Sequence, residues 1–318
     1  MDRLKLVLTN PLVLASLSIV ALLAVGETLS PGFARGDQII RLLTVSAILG
    51  MVAAGQSLVV IGGREGIDLS VGALISLGAV LAGNVMSGND GGILPAILVA
   101  GGVTFVVGLV NGLGVTLLRI PPLVMTLGMT GVIQGALIVI SRGIPSGNAA
   151  PSLMSFVNRP LLLGVPGVLW LWALLGLAMW FLLRRTQLGY AIYAMGSNER
   201  AAELTGLPVR LIRTLLYGLS GLLAGITGVV VIGYTGNSFV SVGDQYVLPS
   251  VIAVVIGGIS LAGGSGTYLG VMLGAIALTL LQSVLTTLQM EFWSRQLIFG
   301  AVLLLLMLLY GRTRQLRV

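Results

Sequence analysis

Ten long apolar stretches are the feature of this chain that most restricts its fold. A helix crosses the hydrocarbon core of a bilayer with roughly 17–25 mostly apolar residues. Backbone polar groups find no water in lipid, so such stretches must be helical. Only 8% of the residues are charged, where a water-soluble domain carries about 25%. The stretches cover residues 11–29, 38–62, 67–88, 92–118, 123–141, 163–183, 211–235, 246–262, 266–288 and 294–310.

This pattern predicts an all-α polytopic membrane protein with about ten transmembrane helices, within a range of 8–10, in a single domain over residues 1–318. The glycine-rich residues 62–72 and 257–266 could form broken or re-entrant helices. Val60-Ile-Gly-Gly63 recurs as Val255-Ile-Gly-Gly258, which suggests the two related halves found in many transporters. The prolines of residues 142–162 predict an irregular outer loop.

The basic residues are distributed unevenly between the two sides of this arrangement. With the N-terminus inside, twelve of the 17 Lys and Arg residues fall on the inner side, while the ten acids divide evenly. Lys and Arg concentrate on the cytoplasmic side of membrane proteins, so both termini and the loop 184–213 are predicted to be cytoplasmic. Because the basic residues are dispersed beside apolar spans, the net charge of +7 does not indicate nucleic-acid binding.

The loop 184–213 is the longest polar stretch, and its residues predict a short helix outside the bilayer. Asn198 is suited to the N-cap, Glu199 falls in the first turn, and Gly206 favours a stop. We therefore predict a helix over Glu199–Thr205.

One face of this helix should be available to a partner. Spacings of three and four residues bring Ala201, Leu204 and Thr205 together. Such a face could fit a groove on another protein or rest on lipid head groups. Glu199 and Glu203 argue against the lipid, because cytoplasmic leaflets are anionic.

Two polar residues fall close to or inside predicted spans. Asp68 could be the N-cap of a helix running over Leu69–Ala82, a gating element, or both, since a charge at membrane depth needs a partner or water. Asn111 lies within a span and could bond a neighbouring helix or line a polar route.

Four motifs follow one another along the chain. The first is Gly-Ile-Asp-Leu-Ser-Val-Gly at Gly66–Gly72. The second combines Asn-Gly-Leu at Asn111–Leu113 with the Pro-Pro-x-Val-x-Thr-Leu-Gly element at Pro121–Gly128. The third is Gly-x-Asn-x-x-Ala-Ala-x-x-x-Gly at Gly196–Gly206, and the last is the glycine-rich Gly257–Gly266. In this order the motifs resemble the permease subunits of the ribose/xylose/arabinose class of bacterial ABC importers, a class that also imports galactofuranose and autoinducer-2.

The resemblance implies a subunit of the bacterial inner membrane with four kinds of neighbour: an ATP-binding cassette ATPase, a second permease copy or a sister permease, a periplasmic sugar-binding protein, and lipid. ATP would be hydrolysed on the ATPase, so no enzymatic activity and no cofactor are expected here. The chain has no G-x-x-x-x-G-K-[ST] phosphate loop, in agreement. The cytoplasmic helix would be the coupling helix that docks on the ATPase, with the candidate residues Asn198, Glu199, Arg200, Ala201, Ala202, Glu203, Leu204, Thr205 and Gly206.

Two further sets of residues complete the candidate site. The motif residues expected to shape or gate the pathway are Gly66, Asp68, Ser70, Gly72, Pro121, Pro122, Gly257 and Gly258. A sugar is uncharged and should meet neutral polar side chains. The candidates to line its pathway are Gln56, Asn84, Asn111, Thr126, Thr130, Gln134 and Gln282.

The predicted function is a permease that moves a pentose- or hexose-type monosaccharide by alternating access, driven by ATP. One alternative is an ion-coupled secondary transporter, which would need a carboxylate pair or relay inside the membrane. Another is an ABC permease of the branched-chain amino-acid type, whose zwitterionic substrate would need fixed charges or helix ends in the path. The chain contains no His and no Cys, so no metal site and no His- or Cys-based catalytic arrangement is expected.

Overall fold

The structure is a computed structural model that describes residues 10–63, 65–141 and 147–311. Arg64, residues 142–146 and both chain ends, which the predicted topology uses, lie outside these ranges. Most of the described residues are helical, and very few lie in strands. We number the helices α1 (Pro11–Leu29), α2 (Gly36–Ile61), α3 (Val71–Met86), α4 (Ile93–Thr116), α5 (Pro122–Ser141), α6 (Pro151–Asn158), α7 (Gly167–Arg185), α8 (Gln187–Ser197), α9 (Glu199–Leu204), α10 (Val209–Thr235), α11 (Val247–Ile256), α12 (Tyr268–Thr287) and α13 (Phe292–Gly311).

Seven of the described helices are long and apolar enough to cross a membrane, and three shorter apolar helices accompany them. The seven correspond to α1, α2, α4, α5, α7, α10 and α12, and the shorter three to α3, α11 and part of α13. The prediction of a helical polytopic membrane protein is confirmed. The number of membrane crossings, expected to be about ten, stays a prediction.

Both glycine pairs singled out in the sequence end a helix. Gly63 follows α2 with φ of 78° and Gly258 follows α11 with φ of 81°, a left-handed conformation that favours glycine. Helix α11 is consequently only 10 residues long and ends well before the predicted limit of 262. The broken-helix interpretation of these segments is therefore correct.

The helices form two halves, α2–α5 and α10–α13, with matching contacts. Helix α10 packs against α2, α3 and α4, just as α2 packs against α10, α11 and α12. Helices α2 and α10 run in opposite directions, because Gly55 lies against Ser220 whereas Gly62, further along the chain, lies against the earlier Leu216. Equivalent helices that run antiparallel make the two halves an inverted repeat.

Residues 171 positions apart are equivalent in this repeat, as the pair Gly72 and Gly243 shows. These two glycines lie against each other, Gly72 also contacts Val247, and the N–H of Gly243 donates to Ser76 Oγ at 3.0 Å. The shift of 171 also relates Ser76 to Val247, so the contact between Gly72 and Val247 is equivalent to the contact between Gly243 and Ser76. The Val-Ile-Gly-Gly sequences noted above end α2 and α11, which are not equivalent, so they do not mark the repeat.

Two segments between the long helices are more ordered than predicted. Residues 142–162 were expected to be irregular, but α6 begins there, with Pro151 in the first turn where its missing N–H is harmless. A hairpin of strands β1 (Pro160–Leu162) and β2 (Val165–Pro166) follows, so α7 begins at Gly167 instead of 163. Helix α8 was not predicted. We call the end of the bundle that carries α8 and α9 the α9 end, and the opposite end the α6 end.

Candidate functional site

The short helix predicted outside the spans is present as α9, at Glu199–Leu204. Asn198 caps it as expected, since its Oδ1 accepts a hydrogen bond from the N–H of Ala201 at 3.0 Å. Thr205 is the C-cap, and Gly206 ends the helix with φ of 85°. The predicted boundaries are correct to within one residue.

The face of α9 proposed to meet a partner is exposed. Leu204 is 77% exposed, and Ala201 and Thr205 beside it are also exposed. Ala202, on the opposite face, is buried and fixes the helix to the bundle. Ala201, Leu204 and Thr205 therefore form an exposed helix face of the kind that fits a groove on another protein.

A buried ion pair joins α9 to α10. Arg213 Nη1 donates to Glu199 Oε1 at 2.8 Å, and the Arg213 side chain is only 6% exposed. A charge this deeply buried requires its partner, because an unpaired guanidinium would lose its solvation without compensation. The first residue of α9 is therefore firmly attached to a long helix of the bundle.

The chain before α9 rests on the point where the two halves meet. The N–H of Gly264 donates to the Ile61 carbonyl at 2.9 Å, and Gly196 of α8 lies directly against both. The hydroxyl of Tyr193 donates to the Gly266 carbonyl at 2.7 Å. Burial raises the pKa of Tyr193, although the charge of Arg184 opposes this shift. The raised pKa keeps the phenol protonated, so it can donate this hydrogen bond. Helix α8 thus contacts the end of α2 and the segment after α11.

A second polar cluster, which we call the Asp68 cluster, lies inside the bundle between α2 and α3. Asp68 is fully buried, and its Oδ1 accepts the hydroxyl of Ser70 at 2.6 Å and the N–H of Ser70 at 3.0 Å. Its Oδ2 accepts the hydroxyl of Ser220 at 2.8 Å. The amide of Asn111 donates to Ser70 Oγ at 2.9 Å. Asp68 therefore links α10 and α4 to the break between the first two helices of the repeat.

The interpretation of Asp68 as the N-cap of a helix starting at Leu69 is wrong. Helix α3 begins at Val71, and Ser70 occupies the N-cap position. The carboxylate instead bonds to Ser70 and to a helix of the other half. Long-range bonding of this kind is what a buried charge needs, and local sequence does not encode it.

The structure brings together some of the predicted pathway residues and not others. Gln56, with its amide oriented to satisfy both groups, bonds the backbone N–H and carbonyl of Asp68. The hydroxyl of Thr130 donates to the Leu69 carbonyl at 3.3 Å, so it adjoins the Asp68 cluster. Thr126 is buried one turn earlier and bonds to the Pro122 carbonyl. The pathway candidates without a described bond to this cluster are Asn84, Thr126, Gln134 and Gln282.

The remaining motif residues shape the backbone around these clusters. Pro122 begins α5 and, with Gly66, borders a small cavity near Arg213. Pro121 precedes that helix and its carbonyl accepts the N–H of Met125. Gly257 packs against Gly270 of α12.

Helix α10 connects the Glu199–Arg213 ion pair to the Asp68 cluster, and sequence reasoning missed this role. Arg213 and Ser220 are seven residues apart, about two turns, and so lie on one face. Tyr217 lies between them and is buried, with no described partner for its hydroxyl. A movement of α9 would reach the Asp68 cluster through this one rigid element. The signal available in the sequence was a basic residue and a serine at helical spacing after a predicted coupling helix.

The comparisons with known proteins agree with this arrangement. Residues 38–307 match the family described as "Branched-chain amino acid transport system / permease component". The chain is 33% identical over 304 residues to the ribose import permease protein RbsC of Escherichia coli strain K12, covering 94% of this chain and 93% of the relative. It is 34% identical over 311 residues to the autoinducer 2 import system permease protein LsrC of Yersinia pseudotuberculosis serotype O:3 strain YPIII, covering 98% and 88%.

No solved structure matches the chain. The family match extends over most of the sequence, and these relatives align with nearly all of it. The chain therefore belongs to the family of ABC importer permeases, in the ribose-type class that its motifs indicated, and is a transport subunit rather than an enzyme.

Proposed function

We propose that this chain forms the membrane pathway of an ATP-driven importer for a pentose- or hexose-type monosaccharide and works by alternating access. The relatives named above are a ribose import permease and a permease of an autoinducer 2 import system. Of the neutral residues predicted to meet substrate, Thr130 is partly exposed, whereas Gln56 and Asn111 are fully buried around Asp68.

The observation that carries the proposal is the attachment of an exposed helix to the interior of the bundle. Leu204 is free to meet a partner, while Glu199 at the start of the same helix is paired with Arg213. Force applied to α9 by a partner ATPase would therefore move α10. Helix α10 in turn holds Asp68 through Ser220.

The α9 end is assigned to the cytoplasm. Among the described residues, six of ten arginines lie at that end, and Lys and Arg favour the cytoplasmic side. The α6 end would then face the periplasm and receive a sugar-binding protein. The second permease copy, or a sister permease, would complete the pathway. Both chain ends would be cytoplasmic in the bacterial inner membrane.

An ion-coupled mechanism is less suited to the described interior. Asp68 is the one fully buried carboxylate among residues 10–63, 65–141 and 147–311, and both of its oxygens accept hydrogen bonds from serines. A proton or ion relay needs a carboxylate that is free to exchange its partners, and both oxygens of Asp68 are occupied. The contacts that run from α9 through α10 to Asp68 support a mechanical connection instead.

Replacing Leu204 with aspartate tests the docking surface. We expect Leu204→Asp to fold normally, because the side chain is 77% exposed, and to bind the ATPase subunit at least about tenfold more weakly, since a carboxylate would be buried in the interface without a partner. The measurement is the affinity of the purified permease in nanodiscs for the ATPase, together with ATP-driven sugar uptake in proteoliposomes.

Leu163→Asp provides the matched control. Leu163 is 84% exposed in the hairpin at the α6 end, so the same chemical change there should leave ATPase binding intact. If the Leu204 variant and the control bind the ATPase equally well, α9 is not part of the interface. Uptake of sugar without any ATPase would contradict the proposed function itself.

A further inference from the structure

The segment between α10 and α11 descends from the α6 end into the middle of the bundle. At its start the carbonyl of Gly236 accepts the N–H of Ala149, at the α6 end. Seven residues later, the N–H of Gly243 donates to Ser76 Oγ. Ser76 precedes the end of α3 at Met86 by ten residues, or about 15 Å at 1.5 Å per residue. Residue 243 therefore lies about halfway through a 30 Å hydrocarbon core.

Asp244 follows directly and is exposed at this depth. Its carboxylate has no hydrogen-bond or ion-pair partner among the described residues, and its backbone begins the 3-10 turn that leads into α11. Ser241 and Gln245 beside it are exposed as well, and the ring of Phe239 is 42% exposed. The predicted spans 211–235 and 246–262 leave this segment between them, and Asp244 was not among the candidate residues.

An unpaired carboxylate in the middle of a membrane domain does not face lipid. Such a placement costs at least about 2.5 kcal/mol, and residues of this kind line water-filled cavities or bind something. Asp68 lies only a few residues before Gly72, the neighbour of Gly243, but both of its oxygens are bonded to serines. Asp68 is therefore a structural carboxylate, whereas the carboxylate of Asp244 is free to bind a ligand.

We propose that Asp244, together with Ser241 and Gln245, binds hydroxyl groups of the sugar inside the membrane domain. The proposal rests on the proposed function and names a subsite within it. A carboxylate accepts two hydroxyl donors, an amide both donates and accepts, and an exposed aromatic ring such as Phe239 covers the apolar face of a sugar. A cation is a poorer fit, because no group of three acidic or imidazole ligands occurs among the described residues.

The absence of cysteine from the chain makes a direct test available. Ser241→Cys introduces a single thiol beside Asp244 and leaves the carboxylate in place. The thiol is probed with a charged, membrane-impermeant methanethiosulfonate reagent in the assembled importer in nanodiscs. The sugar is whichever of D-ribose, D-xylose, L-arabinose and D-galactose the wild-type complex transports fastest. We expect rapid labelling that slows at least fivefold when the loaded binding protein supplies the sugar.

Two matched thiols control this experiment. Leu174→Cys, 63% exposed near the middle of α7, should face lipid and resist the reagent, and Asn89→Cys, exposed at the α6 end, should react whether or not sugar is present. A thiol at 241 that does not react, because lipid or the second permease copy covers it, overturns the subsite. So does labelling that sugar leaves unchanged.

The effect on transport distinguishes this inference from the function it rests on. Asp244→Asn should lower ATP-driven uptake at least tenfold without weakening ATPase binding, whereas Asp37→Asn, an exposed carboxylate at the start of α2, should not. If the wild-type complex imports sugar and Asp244→Asn imports it equally well, the subsite is wrong and the proposed function stands. If the wild type imports none of the four sugars, the proposed function fails first.

Discussion

Gly243→Val should leave almost no folded protein. A Cβ atom at this position would collide with the carbonyl of Gly72 and come within 2.8 Å of the Ile75 side chain. The two backbones must then separate, which breaks the bond from the Gly243 N–H to Ser76. Overpacking costs about 1–3 kcal/mol, and a buried unsatisfied N–H about as much again. The expected loss of roughly 4 kcal/mol approaches the total stability of many proteins.

The measurement is the yield of monodisperse protein in mild detergent and the midpoint of its unfolding in a denaturing detergent. Gly128→Val is the control, because it makes the same change inside a membrane helix where a Cβ meets nothing within 4 Å. Gly128→Val should fold at close to wild-type yield. If both variants fold equally well, Gly72 and Gly243 do not touch, and the pairing of the two halves described here is incorrect.

Features with a local cause could be predicted from the sequence. The apolar stretches give the helices because lipid leaves the backbone no alternative. Helix α9 was predicted to within a residue because Asn198 and Gly206 act on their immediate neighbours. A break was considered at both glycine-rich segments for the same reason, since a left-handed residue ends a helix wherever the rest of the chain lies, although the predicted span 246–262 ran past the end of α11.

Features with a long-range cause could not be predicted in this way. The repeat was sought in Val-Ile-Gly-Gly, but the equivalent positions carry Val-Val-Ile-Gly at 59–62 and 230–233 and Ser-Val-Gly at 70–72 and 241–243. Both matches are short, and only the contact between Gly72 and Gly243 distinguishes the correct one. Asp244 was missed because a polar segment looks like a surface loop unless packing draws it inward.

The candidate site shows the same division. The motif Gly66–Gly72 identified the important segment, and its local turn chemistry suggested an N-cap. The bonds of Asp68 depend on Ser220, which lies 152 residues away on a helix of the other half. Arg213 looked like one of several loop arginines, and its burial follows from the docking of α9 against α10.

Arg213→Glu should separate ATP hydrolysis from sugar uptake. The substitution puts a second carboxylate beside Glu199 in a buried position, where loss of an ion pair costs about 3–5 kcal/mol. Helix α9 should then detach from α10 while its exposed face around Leu204 stays able to bind the ATPase. We expect ATP-driven uptake to fall at least about a hundredfold, because about 3 kcal/mol corresponds to a factor of more than 100 in an equilibrium. The ATPase should still co-purify and hydrolyse ATP.

The ratio of sugar transported to ATP hydrolysed in proteoliposomes measures this separation. Arg210→Glu makes the same charge change three residues earlier on an exposed face of α10, so it should change that ratio little. Exchanging both partners, as Glu199→Arg with Arg213→Glu, restores opposite charges across the contact and should recover much of the coupling. A pair that only stabilised the fold would lower yield and ATP hydrolysis together. If the ratio stays at the wild-type value in Arg213→Glu, motion of α9 reaches the Asp68 cluster by a route other than this ion pair.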